Sequence, residues 1–180
     1  YDNLRTYGNY DDWTFEKFRK VADALSRNLN DGGVVMWNVG DAVVKGSETG
    51  SSFRQALYFL DECGLRLHDT MVWEKNTCAF PASPKSSRYS QIFEFCFIFS
   101  KGKPKTANLI VDKPNTWAGT PAIRGKNMVR QKTGELVEQP NTGRMVREFG
   151  VRNNIWRIKN NGSWGQKDKR IVKHPATMPY

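Results

Sequence analysis

The sequence predicts an α/β fold: a largely parallel sheet flanked by helices and closed at one end by an antiparallel hairpin strand. Three observations carry this. The run Val34, Val35, Met36, Trp37 is apolar without a break, as in strands covered on both faces, and such strands belong to parallel sheets more than to solvated antiparallel ones. Segments of helical spacing lie on either side of that run, so helix and strand alternate. The last two apolar strands, Leu65 to Trp73 and Ile92 to Phe99, are joined by Thr77 to Ser90, rich in Ser, Pro and Lys. That linker is too polar for a crossover helix, so the two strands pair as a hairpin and the sheet is mixed at that end.

The elements follow in order. From Thr14, the positions Phe15, Phe18, Val21, Ala22, Leu25 and Leu29 have the spacing of one helix face, and Asp11, Asp12 and Glu16 favour a helix start there. Asp31, Gly32 and Gly33 make the turn into the strand at 34–39. A looser stretch with Gly46 and Gly50 follows, and Ser51 or Ser52 is placed to cap a second helix whose stripe is Phe53, Ala56, Leu57 and Leu60. Gly64 stands where a left-handed helix end is wanted. Beyond Ser100 the periodicity fades into a loop-rich region with scattered apolar anchors (Leu109, Ile110, Val111, Trp117, Ile123, Met128, Val129) and a few short strands at most.

Composition narrows the class. Apolar residues make up 38% and charged residues 26% of 180, enough for one domain with a core, or a core plus an appendage. No apolar stretch approaches the roughly 18 residues of a membrane span, and the first residues lack the basic and apolar regions of a signal peptide. The expectation is a soluble cytoplasmic protein. Cys63, Cys78 and Cys96 are odd in number, widely spaced and without histidine partners, which indicates reduced structural thiols and no metal site. There is no phosphate-binding glycine loop and no nucleophile elbow. His68, inside a strand, and His174, before Pro175, are weak candidates for a general base.

Charge is uneven. Residues 1–100 hold 11 Lys or Arg against 13 Asp or Glu, whereas residues 101–180 hold 17 against 5, so the net +10 lies wholly in the second part. That asymmetry is the footprint of a chain that meets a polyanion. A ligand of an open α/β sheet binds beyond the carboxyl ends of its strands, where Asn38, Gly40 and Asp41 fall. An ordinary polar turn accounts for those three equally well.

Six segments in succession, YDNLR at 1–5, GGVVMWNVGD at 32–41, DTMVWEK at 69–75, FEFCFIFSK at 93–101, NNIWRI at 153–158 and HPATMP at 174–179, resemble landmarks of the DNA amino-methyltransferases. Their order resembles that of the permuted subgroup whose catalytic motif comes first and cofactor motif last. The resemblance implies a partial Rossmann-like methyltransferase sheet plus an irregular basic target-recognition region. It also implies methyl transfer from S-adenosylmethionine to N6 of adenine or N4 of cytosine in double-stranded DNA, within a modification or restriction-modification system. On that reading residues 1–101 are the catalytic-side half, 102–173 the recognition region, and 174–180 the start of the return to the core. Most of the methyl-donor pocket is then expected outside the chain, making this a fragment inactive by itself. A nucleic-acid-binding remnant without chemistry, or an RNA methyltransferase of related fold, is the competing class.

The same resemblance implies the residue roles. Tyr1 matches the last residue of the family's catalytic loop and stacks on a target base flipped from the duplex. Arg5 and Tyr7 follow that loop and face the nucleic acid. Lys126, Arg130, Lys132, Arg144, Arg147 and Arg152 suit phosphate contacts, with Asn38 and Asp41 at the sheet edge. Trp37 and Trp73 read as core. Trp117, Trp156 and Trp164, among basic and polar residues, read as anchors of the loop-rich region more than as stacking platforms.

Overall fold

The computed structural model describes residues 13–158 apart from 77, 79–81, 124–126 and 140–142. Its chain order is α1 (Phe15–Asn28), β1 (Val34–Val39), β2 (Val43–Val44), β3 (Ser47–Glu48), α2 (Ser51–Asp61), β4 (Arg66–Glu74), β5 (Phe93–Ser100), β6 (Val111–Pro114), β7 (Met128–Arg130), β8 (Leu136–Glu138), β9 (Phe149–Val151) and β10 (Ile155–Arg157). These form two units. The second is Asn108–Asn153, and the first holds the described residues on either side of it.

In the first unit a four-stranded sheet has the order β1-β5-β4-β10. β5 lies between β1 and β4, antiparallel to both, and β10 adds parallel to β4. β1 and β4 therefore run the same way, and their carboxyl ends share one edge with the start of β5. The strand read at 92–99 thus pairs antiparallel with β4 as its linker implies, but it lies inside the sheet between β1 and β4 rather than closing one end. α1 begins at Thr14, whose side-chain oxygen accepts the Lys17 N–H at 3.3 Å. Its inward residues Phe18 and Ala22 meet Ala56 and Phe59 of α2 over Val39, Phe97 and Phe99. Phe59 packs edge-on to Phe18, with centroids 5.5 Å apart, and lies 4.7 Å from Phe99, an arrangement that adds to the energy of burial alone. Trp37 belongs to this face, its Nε1 donating to Gln55 Oε1 at 2.8 Å.

Gly32 is required where it stands. Its φ of +75° suits glycine, and a Cβ there would come within 2.5 Å of the Lys105 side chain, because Gly32 N–H donates to Lys101 O and Lys105 N–H to Gly32 O. The turn into β1 is thereby tied to the chain leaving β5.

Four expectations are corrected. β1 is covered on one face, not two: Val34 and Met36, pointing away from the helices, are 44% and 55% exposed, so the unbroken apolar run does not mark a doubly covered strand. Neither Ser51 nor Ser52 caps α2; the capping position is Gly50 in a left-handed conformation, without a side-chain bond. The stretch taken as loose is the hairpin β2–β3, turning through Lys45 and Gly46, both at positive φ, the geometry of a type I′ turn. In the second unit the supposed anchors Leu109, Ile110, Val111, Trp117, Met128 and Val129 are all exposed.

The second unit consists of two antiparallel pairs, β6 with β9 and β7 with β8, and a bridge between Pro121 and Met145. None of its described residues is buried, so backbone pairing rather than a core organises it. After it the chain rejoins the first sheet at β10. Residues 174–180, where the sequence reading places the return, lie outside the described residues, as do His174 and Trp164.

Candidate functional site

At the carboxyl edge of β1 and β4 the first unit gathers Asn38, Trp73, Lys75 and Glu94. β1 ends one residue after Asn38, β4 delivers Trp73 and then Lys75, and the antiparallel β5 brings Glu94 in at its start, opposite Asn38's strand on one side and Trp73 on the other. Alternation along β5 explains the placement. Phe95, Phe97 and Phe99 point to the helices, so Glu94 and Cys96 must point to the opposite face.

Glu94 is 5% exposed. Its Oε2 accepts from Asn38 Nδ2 at 3.0 Å, and its Oε1 is in contact with the Lys75 ammonium. Lys75 in turn lies 5.3 Å from the centre of the Trp73 ring, and Trp73 Nε1 donates to Ile158 O at 3.0 Å. Burial pushes the Glu94 carboxyl up to about 7, while the ammonium in contact with it favours the anion. Asn38 Oδ1 is shut off from solvent and has no hydrogen-bond partner. Glu94 and Lys75 are absent from the sequence-based candidates, although a lone carboxylate inside the apolar run FEFCFIF was the signal for Glu94.

Asp41, two residues past β1, has a structural engagement. Its Oδ1 accepts the Ser52 N–H at 3.0 Å and its Oδ2 the Ser52 hydroxyl. The carboxylate therefore satisfies the first turn of α2 from ten residues upstream, the task a local serine was expected to perform.

The second unit carries the basic candidates. Over 108–153 the sequence holds eight Lys or Arg against four Asp or Glu. Arg144 and Arg147 border a pocket of about 320 Å³ floored by Val111, Met145, Phe149 and Val151. Arg130 and Lys132 belong to the β7–β8 hairpin, where the Arg130 guanidinium donates to Gly134 O across the turn. Arg152 is spent locally, its Nε donating to both oxygens of Asp112 at 3.1 Å, and it holds that carboxyl below its usual range. Trp117, expected to be an anchor, is 61% exposed. Tyr1, Arg5, Tyr7 and Lys126 lie outside the described residues.

His68 is exposed, at the irregularity in the β4–β5 register. Cys63 and Cys96 are in no disulfide, and burial pushes Cys63 up to about 11, which suits an inert structural role. Among the described residues no cluster could hold a metal ion, and no helix is long and apolar enough to cross a membrane.

Comparison with known proteins places this arrangement. Over 180 residues the chain is 50% identical to the orphan methyltransferase M.BamHII of Bacillus amyloliquefaciens, covering 99% of this chain and 64% of that protein. It superimposes on the PvuII DNA methyltransferase, described as cytosine-N4-specific, with a TM-score of 0.57 at 16% identity, over 99% of this chain and 55% of that one, so the fold is the methyltransferase fold. A crystal structure of an M1.HpyAVI–SAM complex is matched over 57% of this chain, with a TM-score of 0.39. The chain thus spans 64% of its curated relative's length. Residues 1–180 match throughout the DNA methylase family of the N6/N4 type, and the chain belongs to that family.

Proposed function

We propose that this chain is the catalytic-side and recognition part of a DNA methyltransferase, which moves a methyl group from S-adenosylmethionine to the exocyclic amine of adenine or cytosine in duplex DNA. The observation that carries the reading is the family match over the whole of residues 1–180. A polar cluster at the strand-end edge, where α/β enzymes bind ligands, and a basic, coreless second unit support it. The protein then works inside the cell, where its DNA lies.

In this proposal Tyr1 stacks on the flipped base, with Arg5 and Tyr7 beside it, and Lys126, Arg130, Lys132, Arg144 and Arg147 contact phosphates. Flipping costs a few kcal/mol, which stacking and phosphate contacts offset. Asp41 serves the reaction by holding α2, and Arg152 by tying β6 to the end of β9. The described residues do not by themselves fit the methyl donor. The carboxylates at the sheet edge, Asp41, Glu74 and Glu94, already have protein partners, and no two glycines of the sequence are separated by a single residue, as a Gly-x-Gly donor turn needs.

The test is a labelled-methyl transfer assay on the protein expressed from its complete reading frame, with duplex DNA and RNA as alternative acceptors. Label in an exocyclic amine of DNA is the expected result. Transfer to RNA alone, or none from a folded protein that binds the donor, would overturn the proposal.

A further inference from the structure

We infer that the apolar pocket of the second unit reads thymine in the target sequence, its floor receiving the 5-methyl group of that base. This rests on the function proposed above and names a base-reading surface for it. Val111 of β6 and Phe149 and Val151 of β9 share one face of that strand pair, and Met145 completes the floor beside them. All four are exposed. The polar groups around them are already engaged. Asn115 Nδ2 donates to Arg147 O at 2.9 Å, Ala122 N–H to Arg144 O at 2.8 Å, Val146 N–H to Thr120 O at 2.8 Å, and Gly119 N–H to Val146 O at 2.9 Å. Gly150 lets Asn115 take this place, since a Cβ there would come within 3.0 Å of Asn115 Oδ1. These bonds fix the wall and leave the pocket lined by carbon.

Charge decides what fills it. In this unit the Arg130 guanidinium donates to Gly134 O and Arg152 is bound to Asp112, whereas the guanidiniums of Arg144 and Arg147, at the pocket's border, have no hydrogen bond or ion pair among the described residues. Phosphates suit those two arginines but not the floor they border. A second copy of the chain, docking the same patch on itself, would bring the like charges together. In the major groove the base edges present donors and acceptors, which an apolar wall would strand at a cost, and one apolar group, the methyl of thymine. Base faces are apolar too, but within a paired duplex they are stacked out of reach. The floor therefore selects for thymine, with Arg144 and Arg147 holding the backbone nearby. Met145, Phe149 and Val151 become specificity-determining residues.

The test uses the protein from its complete reading frame and duplexes carrying its methylated sequence, in which each thymidine is replaced in turn by deoxyuridine, the same base without the methyl. Affinities are read by fluorescence anisotropy. At one position or more the wild type should prefer thymine about four-fold, the worth of one buried methyl group. The double variant Met145→Gln, Val151→Thr should bind both duplexes alike, whereas Arg144→Gln with Arg147→Gln should weaken both and keep the preference. At the preferred position, 5-bromodeoxyuridine places bromine where the methyl stood, and irradiation should crosslink it to a residue of the pocket, a result that needs no variant to fold. A target sequence without thymine, a wild type indifferent to the methyl at every position, a preference unchanged in the Met145→Gln, Val151→Thr variant, or a crosslink outside the pocket overturns the inference. Methyl transfer by the wild type decides the underlying function separately.

Discussion

Replacing Asp41 with alanine tests whether this carboxylate holds the fold or meets the ligand. Asp41 is 8% exposed and Ser52 is fully buried. Ser52 N–H donates to Oδ1 at 3.0 Å and its hydroxyl donates to Oδ2. Without the carboxylate both donors are stranded away from water, at about 1–3 kcal/mol each, and the first turn of α2, which has no acidic residue of its own, loses a negative partner worth about 1 kcal/mol. These terms overlap, so the expected loss is about 3 kcal/mol, or a fall in Tm of roughly 6–12 °C for a protein near this size. Asp41→Asn keeps one acceptor and should cost about 1 kcal/mol. Urea unfolding followed by circular dichroism measures the loss, with DNA affinity measured in parallel on the folded variants. A loss below about 1 kcal/mol in Asp41→Ala, or full stability with DNA binding abolished, would refute the capping argument.

Three further outcomes are expected. Burial raises the Glu94 carboxyl from 4.5 to about 7, so the folded state holds its proton more tightly than the unfolded chain. That contribution is complete below pH 4.5 and is lost as pH rises through 7. Stability should therefore fall by about 2 kcal/mol between pH 5 and 8, and Glu94→Gln should flatten the profile; urea midpoints that rise with pH would contradict this. Phe59→Ala removes the ring shared by Phe18, Trp37 and Phe99 and should cost about 3–5 kcal/mol in the same assay. Neutralising Arg130, Lys132, Arg144 and Arg147 together should flatten the dependence of log DNA affinity on log salt, by up to about 4 in slope; an unchanged slope would make them a solvated surface.

What the sequence could reveal depended on how local each cause was. α1 was legible because its apolar stripe lies within its own residues, although its cap, Thr14, was not singled out. The antiparallel pairing of β5 with β4 followed from the polarity of the linker between them, but not its place beside β1. The cap of α2 was not legible, since the acceptor is Asp41, supplied across the β2–β3 hairpin rather than by Ser51 or Ser52. That hairpin escaped because two-residue strands are too short to show alternation. β1 misled: an apolar run records which residues are available for burial, not whether both faces are covered. At the edge site, Asn38 was found from its position at a strand end, but its partners Glu94 and Lys75 come from other strands, a juxtaposition that only the register of β4 and β5 creates. The apolar residues of the second unit were misread as anchors because hydrophobicity alone does not supply something to anchor to.

The coreless second unit has a bearing on how such a protein changes over generations. Where side chains are interlocked, as around Phe59, almost any exchange disturbs several neighbours. Surface positions away from such contacts tolerate most replacements within about half a kcal/mol. With none of its described residues buried, the second unit rests on main-chain pairing that is largely indifferent to which side chains it displays. Its surface can therefore change at little cost in stability, whereas the sheet and its edge cluster cannot. On the function proposed above, new contacts with DNA could arise in this segment one substitution at a time, without first rebuilding the scaffold that carries it.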